Sequence, residues 1–207
     1  MNTTNNPEST FSRRDFLKTG GALVVAFGMR PIGDALAQHA GVAAEGSELD
    51  SWIAVHADNT ARIYFGRGEF GQGTVTGMLQ IAAEELDLEM RQVSAPPLDT
   101  KVTRDQGNQV SSSSIEQAGP HLRAAAAEAR QALLQLAAAR LGVGVSELRV
   151  SSGVVSIAGQ PGRSVTRSVT YGELIGDKRF NIKITGKAPL KPRSEYKVVG
   201  TRVPRID

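Results

Sequence analysis

Gly68-Glu69-Phe70-Gly71-Gln72-Gly73-Thr74 lies between a strand-like run and the helical stretch Val75 to Leu86, and it constrains the fold more than any other segment. Three glycines within six residues let the backbone take up positive φ and approach a ligand closely, while the Gln72 amide both donates and accepts hydrogen bonds. Because the loop opens a helix, its N–H groups also favour an anion. On local chemistry alone such a loop is more often a turn than a site, so its surroundings decide.

Those surroundings read as an α+β module of β-hairpins packed with two main helices. Ser51 to Arg67 is a hairpin: Trp52, Ala54 and His56 alternate with Ile53, Val55 and Ala57, and Asp58-Asn59-Thr60 supplies turn chemistry before the return run to Phe65. After the glycine loop, Val75, Met78, Leu79, Ala82 and Leu86 fall at helical spacing and bury one stripe. Glu84-Glu85 then reads as a solvated helix face. Gln92 to Ala95 is a further strand ended by Pro96-Pro97, and Leu98 to Val110 is loop. Ser111-Ser112-Ser113-Ser114 leads into a long helix from about Ile115 to Leu141. Pro120 is tolerable only in a first turn, which places the regular helix at Gly119 or Pro120, and Gly142 stops it. A capped turn at Ser146 to Leu148, a second hairpin through Ser152-Gly153, and a strand entering a helical turn at Val169 to Leu174 follow. Beyond Phe180 the chain is extended and basic, interrupted by Pro189, Pro192 and Pro204.

The N-terminus carries an independent signal. Ser12-Arg13-Arg14-Asp15-Phe16-Leu17-Lys18 precedes a weakly hydrophobic run from Gly20 to Met29 and then Ala35-Leu36-Ala37. A basic region with paired arginines, a short apolar region and a small-residue cleavage site form a twin-arginine export signal, which makes the protein periplasmic with its mature end near Gln38. That pathway carries folded proteins, which suits a cofactor acquired before export. The expected division is a signal peptide at 1–37, a linker at 38–50, a cofactor-binding-type α+β module at 51–160, and an extended basic segment at 161–207 leading toward a further domain.

Composition removes several function classes. Without cysteine the chain forms no disulfide and ligates no iron–sulfur cluster, so any such cluster sits on a partner. No stretch after the signal approaches the length of a membrane span. From Gln38 to Gly159 there are nine Lys+Arg against fourteen Asp+Glu, and from Gln160 to Asp207 eleven against four. A basic tail without clustered aromatics does not suit nucleic acid; it reads as a solvated surface or a docking surface for an acidic partner. His39, His56 and His121 are too scattered for a zinc site. Trp52, Tyr64 and Phe65 read as core, and Glu69 as a surface or structural residue in preference to a catalytic carboxylate.

The stretch Glu69 to Leu86, EFGQGTVTGMLQIAAEEL, resembles the molybdenum-binding subunit of the xanthine dehydrogenase and aldehyde oxidase family, especially the branch that holds the beta subunit of isoquinoline 1-oxidoreductase. The resemblance extends over roughly Ser51 to Gly159 in the same order of elements, behind an export signal as in that branch. It implies that Gln72 contacts the pterin cofactor, flanked by Gly71 and Gly73 and followed by Thr74. It implies too that Ser111 brings its backbone toward the molybdenum ligands, with Ser112 and Ser114 beside the cofactor. From the residues alone, the serine run is equally an ordinary helix cap.

The resemblance implies molybdopterin cytosine dinucleotide as cofactor, hydroxylation of aldehydes or N-heterocycles, a [2Fe–2S] small subunit, and an acceptor such as cytochrome c. The resemblance places the family's glutamate base in another segment, and the family's Gly-Gly-Phe-Gly loop and arginine-bearing segment do not occur here. The implied role is therefore part of an active site, completed by the remainder of the molybdenum subunit. The rival is a non-catalytic α+β assembly or binding module with the same architecture.

Overall fold

The computed structural model of the protein describes residues 22–26, 51–99, 103, 106–107, 109–158, 167–176, 179–183 and 185–206, with backbone alone at 22–26, 51–52 and 179–183. Arg13, Arg14, the cleavage motif and the linker at 38–50 lie outside these residues. The architecture is α+β. Strands β1 (Ala22–Ala26), β2 (Ser51–His56), β3 (Ala61–Ile63), β4 (Val93–Ser94) and β8 (Arg179–Lys183) form one sheet in the order β4-β3-β2-β1-β8. Strands β5 (Leu148–Ser151), β6 (Val154–Ile157) and β7 (Ser168–Thr170) form a second, antiparallel sheet.

Both expected hairpins are present. In the first, Ile53, Ala54 and Val55 pair with Ile63, Arg62 and Ala61, and Asp58 Oδ1 closes the turn by accepting from the Thr60 N–H and hydroxyl at 3.0 and 2.6 Å. Helix α1 (Thr74–Leu86) follows the glycine loop, and α2 (Gly119–Leu141) ends at Gly142 in the left-handed conformation with φ 68°. A wider helical turn, Ser114–Ala118, precedes α2, so regular helix begins where Pro120 permits it. The short helix α3 (Tyr171–Ile175) continues β7, capped by the Thr170 side chain.

One core joins these elements. Ile53, Val55 and Ile63 of the first hairpin meet Met78, Leu79 and Leu86 of α1 and Leu122, Ala126 and Leu133 of α2, all at most 1 % exposed. The small alanine side chains of α2 let it lie close against α1. An added methyl at Gly77 would sit 3.2 Å from Ile115 Cδ1, so this position has little room for a side chain. Tyr171, fully buried, donates its hydroxyl to the Leu86 carbonyl at 3.1 Å and fastens α3 to the end of α1.

One expectation needs correction. Glu84 and Glu85 are not a solvated face: they are 2 % and 1 % exposed. Glu84 Oε2 accepts three successive N–H groups, Lys197, Val198 and Val199, at 2.6 to 2.9 Å, and Glu85 pairs with Arg123 at 2.7 Å while accepting the Lys191 N–H. The basic segment is therefore held in part by this chain's own acids, because buried carboxylates must be paired. Lys191, 4 % exposed, reaches both Glu84 and Asp87, and Glu128 accepts from the Thr185 N–H and hydroxyl and the Lys187 N–H. The apolar run within Gly20 to Met29 also contributes to the sheet. Ala22–Ala26 is strand β1, antiparallel to β2 and parallel to β8, inside the larger sheet.

Candidate functional site

The site begins with the backbone of the glycine loop. Gly71 and Gly73 have φ of 93° and 78°, a region that costs a side-chain-bearing residue energy, so glycine is required at the entry to α1. Glu69 organises the turn: Oε1 accepts the N–H of Gly71 and of Gly73, and Oε2 that of Val75, each at 3.0 Å. The N–H groups read from sequence as open to an anion already face a carboxylate. Glu69 is thus a structural residue of the loop, as its place in the sequence suggests.

Gln72 is exposed, and its amide stabilises the same turn by accepting from the Phe70 N–H at 2.6 Å and donating to the Gly68 carbonyl at 3.1 Å. A carboxamide has two N–H groups and two lone pairs, so by valence one of each remains to meet a ligand. Phe70 beside it is 82 % exposed. Thr74, 8 % exposed, opens α1.

The serine run forms the second half of the site. Ser111 and Ser112 are exposed and both lie in the left-handed region, with φ of 51° and 57°. Consecutive non-glycine residues there store strain that the surrounding structure must hold. Ser113 and Ser114 are buried, and the Ser114 hydroxyl bonds the Gln109 side chain. The ordinary cap read from sequence is absent: neither Ser113 at the head of the wider turn nor Ala118 at the head of α2 makes a side-chain cap bond.

Arg67 joins the two loops. It is 7 % exposed, and its guanidinium donates to the Gln106 carbonyl at 3.0 Å, to the Ser113 hydroxyl at 2.8 Å and to the Gln117 side chain at 3.4 Å. Gln106 in turn spans the Gly66 N–H and the Tyr64 carbonyl, both at 2.9 Å, and so splints the strand end that leads into the glycine loop. Gly71, Gln72, Gly73 and Thr74 are thereby tied to Ser111, Ser112 and Ser114 through Arg67, Gln106 and Ser113. Sequence reasoning missed these three. An isolated arginine before a glycine loop carries no local signature, and its acceptors lie 39 to 50 residues away.

The basic segment reaches the site as well. Arg205 donates to the Gly71 carbonyl at 2.7 Å, and the Ile206 N–H donates to the Thr76 hydroxyl at 3.0 Å. Glu69 and Arg205 thus hold Gly71 through its N–H and its carbonyl respectively. Among the described residues no group of three or more His, Asp or Glu side chains could hold a metal ion, and no helix is long and apolar enough to cross a membrane.

Known proteins resemble the chain along nearly its whole length. It is 34 % identical over 203 residues to the B subunit of nicotinate dehydrogenase from Pseudomonas putida, covering 98 % of this chain and 17 % of that protein. It is 31 % identical to the beta subunit of isoquinoline 1-oxidoreductase from Brevundimonas diminuta, covering 97 % of this chain and 30 % of that one. It therefore spans less than a third of the length of these relatives. Among solved structures, quinoline 2-oxidoreductase of Pseudomonas putida 86 matches 60 % of this chain and 15 % of that one at 24 % identity, with a TM-score of 0.49. Residues 8–204 match the molybdopterin cofactor-binding domain, so the chain belongs to that family, found in the large subunits of xanthine dehydrogenase and aldehyde oxidase.

Proposed function

We propose that this chain supplies the glycine loop and serine loop of the molybdopterin site in the molybdenum subunit of an exported, periplasmic hydroxylase or dehydrogenase acting on aldehydes or N-heterocycles. The observation that carries the reading is the Arg67 bridge: one buried guanidinium fixes two exposed, positive-φ loops against each other at the leading ends of α1 and α2. The donor set fits such a group. Gln72 offers a carboxamide and Ser111 and Ser112 offer exposed hydroxyls. The space a Cβ would take is open at Gly71, and at Gly73 it is approached only by the Arg205 side chain at 3.7 Å.

The cofactor, in its cytosine dinucleotide form, supplies the redox chemistry; these residues bind and orient it. Gln72 would hydrogen-bond it, Gly71 and Gly73 would permit close approach, and Ser111, Ser112 and Ser114 would hold it from the serine loop. The base and the substrate pocket belong to the remainder of the molybdenum subunit. Iron–sulfur clusters would sit on a [2Fe–2S] partner subunit, since this chain has no cysteine, and an acceptor such as cytochrome c would take the electrons.

The test is the molybdenum content of the assembled complex carrying Gln72→Ala or Gly73→Val, with circular dichroism as the folding control. Loss of one buried hydrogen-bond partner costs about 1–3 kcal/mol, roughly five- to a hundredfold in cofactor retention. Gly73→Val is the more severe because φ is 78° there. Full occupancy in both variants would take the loop out of the site and favour a non-catalytic assembly module.

A further inference from the structure

The leading end of α1 is built in a way the cofactor reading alone does not require. A helix N-terminus attracts anions because its first N–H groups lack partners and point outward. Here the Gly71, Gly73 and Val75 N–H groups converge on the single carboxylate of Glu69, each at 3.0 Å. They can converge because Gly71 and Gly73 both have positive φ. Each N–H has one hydrogen to give, and the carboxylate carries the same sign of charge as a phosphate. A phosphate approaching these three N–H groups would have to displace Glu69.

The remaining contacts in the loop point the same way. Gln72 is braced by the Phe70 N–H and the Gly68 carbonyl, and Arg205 occupies the Gly71 carbonyl. With Gly71 held through its N–H and its carbonyl, the Gln72 side chain is an exposed hydrogen-bonding group that the loop presents.

We propose that Glu69 is a positioning residue: its carboxylate is the built-in anion of the α1 N-terminus, closing that end to phosphate and presetting the loop so that it meets its ligand through the Gln72 amide. The proposal rests on the reading that this loop faces the molybdopterin group. It assigns the loop to a neutral, hydrogen-bonding part of that ligand and sends the ligand's phosphates to other segments.

The experiment uses the assembled enzyme with Glu69→Ala, Glu69→Gln or Gln72→Ala. Pterin is extracted and quantified by fluorescence, and thermal unfolding is recorded with and without inorganic phosphate. Glu69→Ala lowers pterin retention about tenfold, a change of about 1.4 kcal/mol, with cooperative unfolding preserved. Glu69→Gln keeps an acceptor oxygen but sets an NH2 group against the Val75 N–H, so its loss is intermediate. Inorganic phosphate raises the melting temperature of Glu69→Ala more than that of the wild type, because three N–H groups have become available.

Full pterin in both Glu69 variants with depletion in Gln72→Ala overturns the role of Glu69 and leaves the loop in the site. Full pterin in all three variants overturns the underlying reading. An equal phosphate response in wild type and Glu69→Ala overturns the built-in anion. If Glu69→Ala does not fold, the intermediate loss in Glu69→Gln carries the proposal, and full retention there sinks it.

Discussion

Lys191 Nζ lies 3.0 Å from Glu84 Oε1 in the protein interior, although the two residues are 107 positions apart in the chain. The same ammonium bonds the Glu84 backbone carbonyl and the Asp87 carboxylate, while the other Glu84 oxygen takes the N–H groups of residues 197–199. This cluster fastens the segment that goes on to reach the glycine loop. Replacing Lys191 by Met removes the charge and leaves two carboxylates facing one another in a poorly solvated place. Breaking a buried pair in this way costs about 3–5 kcal/mol, which urea unfolding will show as a lower midpoint. An unchanged midpoint would mean that the cluster does not hold the segment.

Glu84 and Glu128 make stability depend on pH. Burial alone would raise the Glu84 carboxyl, but the N–H groups of Val198 and Val199, the Lys191 ammonium and the Lys197 N–H outweigh it and hold it below its ordinary 4.5. Glu128 is likewise lowered: burial opposes, and the Thr185 hydroxyl and N–H with the Ala188 and Lys187 N–H groups prevail. A carboxyl depressed in the folded state stabilises fully above its unfolded value, and that contribution is lost as pH falls through the folded value. Stability therefore declines below about pH 4.5. In Glu84→Gln the decline is shallower, at the expense of lower stability near neutrality. Parallel pH profiles for the two proteins would contradict the assignment.

Arg67→Ala should uncouple the two loops. It leaves the Ser113 hydroxyl and the Gln106 carbonyl without a charged donor in a buried place, at about 1–3 kcal/mol of stability. The readout that separates coupling from mere destabilisation is proteolysis at the serine run relative to α1. Cleavage near Ser111 and Ser112 rises several-fold while α1 stays protected. Uniform protection would show that the loops hold their geometry without Arg67.

The N-terminus allows a two-part experiment. Replacing Arg13 and Arg14 by Lys keeps the charge and removes the twin-arginine pair, so precursor accumulates in the cytoplasm on fractionation; normal export refutes the signal. Separately, a chain beginning at Gln38 lacks β1, which pairs with both β2 and β8. Its absence exposes strand edges that favour association. The shortened chain should melt lower by about 2–8 °C, the shift that about 1–2 kcal/mol produces in a domain of this size. Equal melting temperatures would mean that β1 contributes nothing to the sheet.

What the sequence determined by itself was local. The Asp58-Asn59-Thr60 turn, the stripe from Val75 to Leu86 and the stop at Gly142 each depend on residues within a turn or two, and the structure has all three where composition and spacing place them. The requirement for glycine at Gly71 and Gly73 was legible for the same reason, since φ is a property of a single residue.

Tertiary structure decided the rest. Glu84 and Glu85 look like any acidic pair on an amphipathic helix until a strand of backbone and a lysine more than a hundred residues away cover them. Arg67 acquires a role only when Gln106 and Ser113 arrive beside it. The apolar run at 22–26 reads in sequence as part of a leader, and its pairing with β2 and β8 is visible only in the folded chain. In each case the deciding energy is the desolvation of a polar or backbone group, and whether that group is desolvated depends on which distant segment packs over it.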